Sequence, residues 1–191
     1  PEFSNLMSSA LSIDPNDFEC HRLQCAVNTM MGDMKAALEH GKKAYDVNPN
    51  DPRILQQYGE VLLKTGKTEE GCDLTLLALE YDPIAQGQTN SDKRKSDGVF
   101  GCVLDDRPDV GLDIASGMID RSEKVLVYSA ALAVANTGSL QNFSWLIEDL
   151  KNADFAQIEE AIEEMGKFDV VVQSKLKEVF LDYILPLKEV A

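Results

Sequence analysis

Residues 18–51, FECHRLQCAVNTMMGDMKAALEHGKKAYDVNPND, and residues 52–85, PRILQQYGEVLLKTGKTEEGCDLTLLALEYDPIA, have the same length and align one beneath the other. Pro49 falls above Pro83, with Pro15 one stride earlier, and each follows Asp14, Asn48 or Asp82. Ala10, Ala44 and Ala78 keep the 34-residue stride, as do Gly32 and Gly66, and a small residue recurs mid-unit at Ala37 and Gly71. A fixed period in this size range is the mark of an array of repeated supersecondary units.

The unit reads as a pair of helices. Phe18 to Met30 and Pro52 to Lys64 are predicted first helices; Met34 to Val47 and Thr68 to Tyr81 are predicted second helices. Gly32 and Gly66 stand just past a helix end, where a left-handed backbone costs glycine least. Ala37, Ala44, Gly71 and Ala78 place small groups where two helices must approach closely. Proline then closes the pair, since it lacks the N–H and its ring clashes with the preceding turn. One such hairpin cannot bury its apolar face alone, so consecutive units are expected to stack on a shared core.

These residues resemble the tetratricopeptide repeat family. Gly32, Ala37, Ala44 and Pro49 stand where that motif has its glycine, alanines and proline, and Gly59, Gly66, Gly71, Ala78 and Pro83 repeat it. The motif's early Trp is replaced by His21 and Leu55, and its second-helix aromatic by Gly41 and Thr75, which predicts looser packing there. The resemblance covers residues 4–83, a partial unit at 4–17 and full units at 18–51 and 52–85. It implies an all-α, right-handed superhelix of antiparallel helix pairs, and a protein-binding scaffold rather than an enzyme. In the family the first helices line a concave surface. The matching positions here are Glu19, Arg22, Leu23, Ala26, Thr29 and Met30, then Arg53, Gln56, Gln57, Glu60, Leu63 and Lys64. Their mixture of charges with Leu23, Met30 and Leu63 suits a short amphipathic protein or peptide segment. Some family members clamp a chaperone's C-terminal carboxylate with a Lys/Arg and Asn network. Arg22 fits one member of it, but Ala26 and Gln57 replace the asparagines, which argues against such a clamp.

The formal net charge of −15 disfavours nucleic acid, whose binding is driven by neutralising phosphates, and favours basic partners. No run of 18 or more apolar residues is present, so no membrane span is expected. Pro1, Glu2 and Phe3 look vector-derived, and an array opening inside a unit reads as part of a longer protein, of the bacterial signalling or regulatory kind. On that reading Ser4 to Ser12 is a second helix with an uncovered face (Leu6, Met7, Ala10, Leu11), which makes a homodimer the alternative role. Cys20, Cys25, Cys72 and Cys102 lack the spacing of a zinc site and read as buried free thiols, hence a reducing, cytoplasmic setting. No metal or cofactor is expected.

Beyond Pro83 the period degrades. Ile84 to Asp92 is polar and reads as a loop, followed by the basic cluster Lys93, Arg94 and Lys95 and a short helix from Asp97 to Leu104. Asp106, Arg107 and Pro108 break it, and Val110 to Asp120 resumes. Ser122 to Asn136 is apolar nearly all round, so it is expected to be buried on most sides, with Ser122 as its cap, Gly138 as its stop and Leu140 to Leu150 as its antiparallel partner. Residues 86–150 are thus read as degenerate helix pairs, and residues 151–191 as capping helices, an acidic one from Phe155 to Met165 and a last one from Phe168 to Leu185, stopped by Pro186. Catalytic signals are weak: His21 and His40 are the two histidines, no phosphate-binding, dinucleotide, zinc-protease or calcium motif occurs, and the Asp105, Asp106 and Arg107 cluster is the remaining enzymatic candidate.

Overall fold

The computed structural model describes residues 2–82 and 89–189, and these are helical, with no strand among them. The chain divides into two compact units, Pro1–Pro83 and Ile84–Ala191. Five helices build the first: α1 (Glu2–Ile13), α2 (Phe18–Met31), α3 (Met34–Val47), α4 (Pro52–Lys64) and α5 (Thr68–Glu80). The starts of α2 and α4, and of α3 and α5, lie 34 residues apart, so the sequence period is a period of helices.

The local chemistry repeats with it. Asp17 caps α2 by accepting the Cys20 N–H, and Asp51 caps α4 by accepting the Arg53 N–H, each carboxylate satisfying an amide that the helix leaves orphaned. At the turns Gly32 (φ +78°) and Gly66 (φ +82°) adopt the left-handed region. Asp33 N–H donates to the Asn28 carbonyl, and Lys67 N–H donates to the Leu62 carbonyl, one stride later. Both are the six-to-one bond that ends a helix on glycine.

Helix directions follow from which residues meet. Late residues of α4 touch early residues of α5: a Cβ on Gly71 would lie 2.8 Å from Leu63, and one on Gly59 3.0 Å from Thr75. The pair is therefore antiparallel, and α2 with α3 packs the same way around Cys25, Ala37 and Gly41. Ala37, Ala44, Gly71 and Ala78 are all buried, as their close-packing positions require. The cores are shared between hairpins: Leu38 and Tyr45 of α3 pack on Leu55, Tyr58, Leu62, Leu74 and Ala78 of α4 and α5. Each fully buried leucine there contributes about 1.5–3 kcal/mol. Packing at Gly41 is tight, contrary to expectation, because the Tyr58 ring of α4 fills the room that a second-helix aromatic would have taken. A Cβ at Gly41 would sit 2.7 Å from Tyr58 Cδ2.

The second unit comprises α6 (Thr89–Leu104), α7 (Pro108–Ser116), α8 (Glu123–Thr137), α9 (Ser144–Asn152), α10 (Phe155–Met165), α11 (Val170–Val179), a wide turn (Phe180–Ile184) and α12 (Leu185–Glu189). Its centre is α8, on which α6, α7, α10 and α11 pack. Tyr128 of α8 is buried and meets Phe100 of α6 at 6.0 Å between ring centroids. The terminal helices α10 and α11 thus belong to this core, and α9, the expected partner of α8, is a lesser neighbour of it.

Three further expectations are corrected. The α6 helix starts at Thr89, so Lys93, Arg94 and Lys95 lie within it, and Lys95 donates to the Gly117 carbonyl at 2.7 Å. The loop expected over Ile84 to Asp92 lies outside the described residues as far as residue 88, and from Thr89 the chain is helical. Ser122 stands at the start of α8, but its hydroxyl makes no cap bond. Pro186 lies inside α12: the Leu185 N–H reaches back five residues to the Phe180 carbonyl, and this widened turn makes room for a ring that a regular helix would exclude. The break expected at Asp106, Arg107 and Pro108 is present, and it is a helix-ending turn of the same kind as those at Gly32 and Gly66. Asp106 takes the left-handed position (φ +53°), and Arg107 N–H donates to the Cys102 carbonyl. Five residues on stands Gly111, as Ala37 and Gly71 do after their turns, pressed on Leu132 and Cys102.

Candidate partner-binding face

The twelve candidate positions lie on α2 and α4. Glu19 and Arg53 are one 34-residue stride apart, equivalent positions of successive units with opposite charge. Their side chains meet at 3.4 Å. Glu19 also accepts two bonds from Arg22, at 2.6 and 3.1 Å, and Arg53 donates two to Asp51, at 2.6 and 3.1 Å. The result is a four-membered ionic chain, Arg22, Glu19, Arg53 and Asp51, running across the two helices. The Arg22 bond holds the Glu19 carboxyl below its ordinary range, and the Arg53 bond does the same for Asp51. A second pair, Lys64 with Glu60 at 2.5 Å, follows the helix spacing of four.

The other positions divide by exposure. Met30 is 88% exposed and stands as the one large apolar side chain of the set in full contact with water. Leu23, Ala26, Gln56 and Gln57 are half-buried. Thr29 and Leu63 are equivalents that behave differently. The Thr29 hydroxyl donates back to the Cys25 carbonyl at 2.8 Å, whereas Leu63 is 2% exposed and packs on Gly71. Leu63 is thus part of the core and presents nothing to a partner, a correction forced by glycine at position 71, whose missing side chain Leu63 replaces.

Sequence reading missed Asp51, which fixes the Arg53 guanidinium. Its signal was the 34-residue repetition of the cap position from Asp17. It also missed that His21 and His40 form a pair. Their Nδ1 atoms lie 2.9 Å apart, and His21 Nε2 lies 3.0 Å from the Pro15 carbonyl. A carbonyl only accepts, so His21 Nε2 carries a proton and His21 Nδ1 accepts from His40. His21 is buried, so the pair is a packed seam between α2 and α3. Burial, with His21 and Lys43 nearby, pushes the His40 imidazole below its usual value.

All four cysteines are free and buried, and burial pushes the Cys25 thiol up to about 12, leaving it protonated and unreactive at neutral pH. The remaining enzymatic candidate is the Asp105, Asp106 and Arg107 cluster at the α6–α7 turn. Arg107 is engaged with Asp105 at 2.6 Å, while Asp106 is exposed at the turn. No cluster of three metal-ligating side chains and no helix long and apolar enough to cross a membrane occurs among the described residues. No protein family's sequence profile matches this chain, and no curated protein does.

Proposed function

We propose that residues 4–83 are a tetratricopeptide-like array that binds a protein or peptide partner along α2 and α4, as a noncatalytic, regulatory part of a larger protein. The observation that supports it most is the single stride shared by helix starts, Asp caps, glycine turns and close-packing positions. The face on offer is a charged band, Arg22–Glu19–Arg53, edged by Met30 and the half-buried Leu23. It suits a segment that carries one apolar anchor beside both charges, as short peptides bound in helix-lined grooves do. Because each arginine is already paired, a partner would exchange bonds rather than neutralise bare charge, so the band would contribute selectivity more than affinity.

The test is affinity capture on the immobilised protein, with the captured polypeptide identified and its affinity remeasured in purified form. Arg53→Glu and Arg22→Glu should weaken it about tenfold or more. Unchanged affinity in both variants would remove this face from the proposal.

A second reading is self-association through α1, on which Leu6 is 60% and Ile13 86% exposed. Sedimentation at high concentration separates the two. A monomer leaves the α2–α4 reading alone, and a dimer dissociated by Leu6→Glu establishes the second.

A further inference from the structure

Within the second unit α8 is apolar on almost every side, and one of those sides is uncovered. Ala131 and Val134 are half-buried and Ala135 is exposed, beside a wall formed by α11. Together they bound a cleft of about 490 Å³. Its lining is made largely of small and branched side chains, with Tyr183, carried there by the wide turn after α11, among them. The volume falls within the range of about 300–1,000 Å³ common to binding sites, and the pattern is theirs too: an apolar interior with a few polar groups converging on it.

Those polar groups are Asp106, Lys175 and Glu178 at the rim and the Tyr183 hydroxyl. None of the four has a hydrogen-bond or ionic partner among the described residues. Neighbouring charges in the same unit are engaged: Lys124 with Glu164 at 3.0 Å, Lys177 with Glu163 at 2.8 Å and Arg121 with Asp149 at 2.8 Å. Two acids and one base at the rim, on a chain of net charge −15, set the sign of the occupant. A second copy of this chain would meet long-range repulsion, whereas a cationic segment is drawn in by the whole molecule and then paired at the rim.

We infer that this cleft binds a short amphipathic helix of a basic partner protein. Apolar side chains at spacing i, i+3 or i+4 and i+7 lie against Ala131, Val134 and Ala135. Flanking lysines or arginines meet Asp106 and Glu178. Tyr183 and Lys175 remain to serve the carbonyl groups left unpaired at the end of the bound helix. The site is separate from the α2–α4 face and does not depend on that reading.

The probe is a labelled peptide of leucine and lysine, about 14 residues long so that a helix can form, with leucines on one stripe. Its comparators are the same composition scrambled to destroy the stripe, and the striped peptide with glutamate in place of lysine. Binding to the full chain is read by fluorescence anisotropy and by backbone amide shifts. The striped cationic peptide should bind at least tenfold tighter than either comparator, with shifts confined to α8, α11 and the 106–108 turn. Ala135→Trp, which fills the cleft from an exposed position, should weaken binding about tenfold; Asp106→Asn with Glu178→Gln, which leaves the fold untouched, should weaken it about threefold to tenfold; Arg53→Glu should change nothing. Equal affinity for the scrambled peptide would reduce the effect to the acidic field and overturn the proposal. So would full-strength binding to Ala135→Trp or to the double rim variant.

Discussion

The first unit is built by repetition and the second around a hub. In residues 2–82 each helix pair presents the same cap, turn and small residues to the next, and a core is shared between neighbours in sequence. In residues 89–189 a single apolar helix, α8, gathers helices from both earlier and later in the chain. The difference teaches where a sequence period survives. When every unit meets an equivalent neighbour, the same small residue is demanded at every stride; when several helices meet one, each contact sets its own size and the period dissolves. Asp106 and Gly111 show the same turn geometry in the second unit without the 34-residue spacing.

The largest test of that contrast compares two close contacts. At Gly71 an added methyl would meet the Leu63 backbone nitrogen at 2.8 Å and the Gly59 carbonyl at 2.9 Å, atoms that cannot yield without moving α4. Gly71→Ala is expected to destabilise the first unit by about 3 kcal/mol. At Gly111 the added methyl would meet the end of the Leu132 side chain at 2.5 Å, which can turn away, and the Cys102 Cβ at 2.8 Å, which cannot, but no backbone atom stands among the three nearest, so Gly111→Ala should cost the second unit less, about 2 kcal/mol. Chemical denaturation followed by amide exchange, which resolves the units, measures both. Equal costs would mean that the repeated packing is no more rigid than the hub.

Next come the turns. A Cβ on Gly66 would meet nothing within 4 Å, so Gly66→Ala isolates the cost of a left-handed backbone, about 1–2 kcal/mol. Asp106 already bears part of that cost. Asp106→Gly should therefore stabilise the second unit, by about 0.5 kcal/mol once the greater freedom of glycine in the unfolded chain is set against the relief. A destabilising Asp106→Gly would show that its carboxylate supports the turn in a way the geometry does not display.

How much of this was legible follows the same division. The helices of residues 18–80 could be read almost to the residue, because Gly32 and Gly66 mark the turns within the pairs and Pro49 closes the first pair by local chemistry. The early start of α6 could not, since Asp92 acts at a distance. Its carboxylate accepts the Ile119 and Asp120 amides, at 3.2 and 2.9 Å, so a polar stretch gains a role through partners some 27 residues away. The continuation through Pro186 was hidden for a related reason: a wide turn is chosen by packing around Phe180 and Ile184, both buried, and leaves no propensity signal. On the candidate face, residue identities gave the charges, but which of them pair depended on how α2 and α4 meet, and that Leu63 is interior depended on Gly71 in another helix.

The smallest expected effect sharpens the contrast by pH. Both histidines of the chain lie in the first unit, facing each other across α2 and α3, so the second unit has no group of that kind to titrate near neutrality. His40 is held below its ordinary value in the folded state, chiefly by burial, then by His21 and Lys43, with Glu39 acting in the other direction. A group whose folded value is depressed binds fewer protons folded than unfolded across the interval between the two. Stability is therefore undiminished above the ordinary histidine value near 6.5 and declines as pH falls from there through the folded value. The decline should appear in the first unit's denaturation midpoint between neutral and mildly acidic buffer, and His40→Gln should flatten it, since glutamine still offers a donor to His21 Nδ1 but cannot take up a proton. Over the same interval the second unit's midpoint should lack this histidine component. A slope that persists in His40→Gln would place the acid sensitivity outside the histidine seam and leave that contact without a pH role.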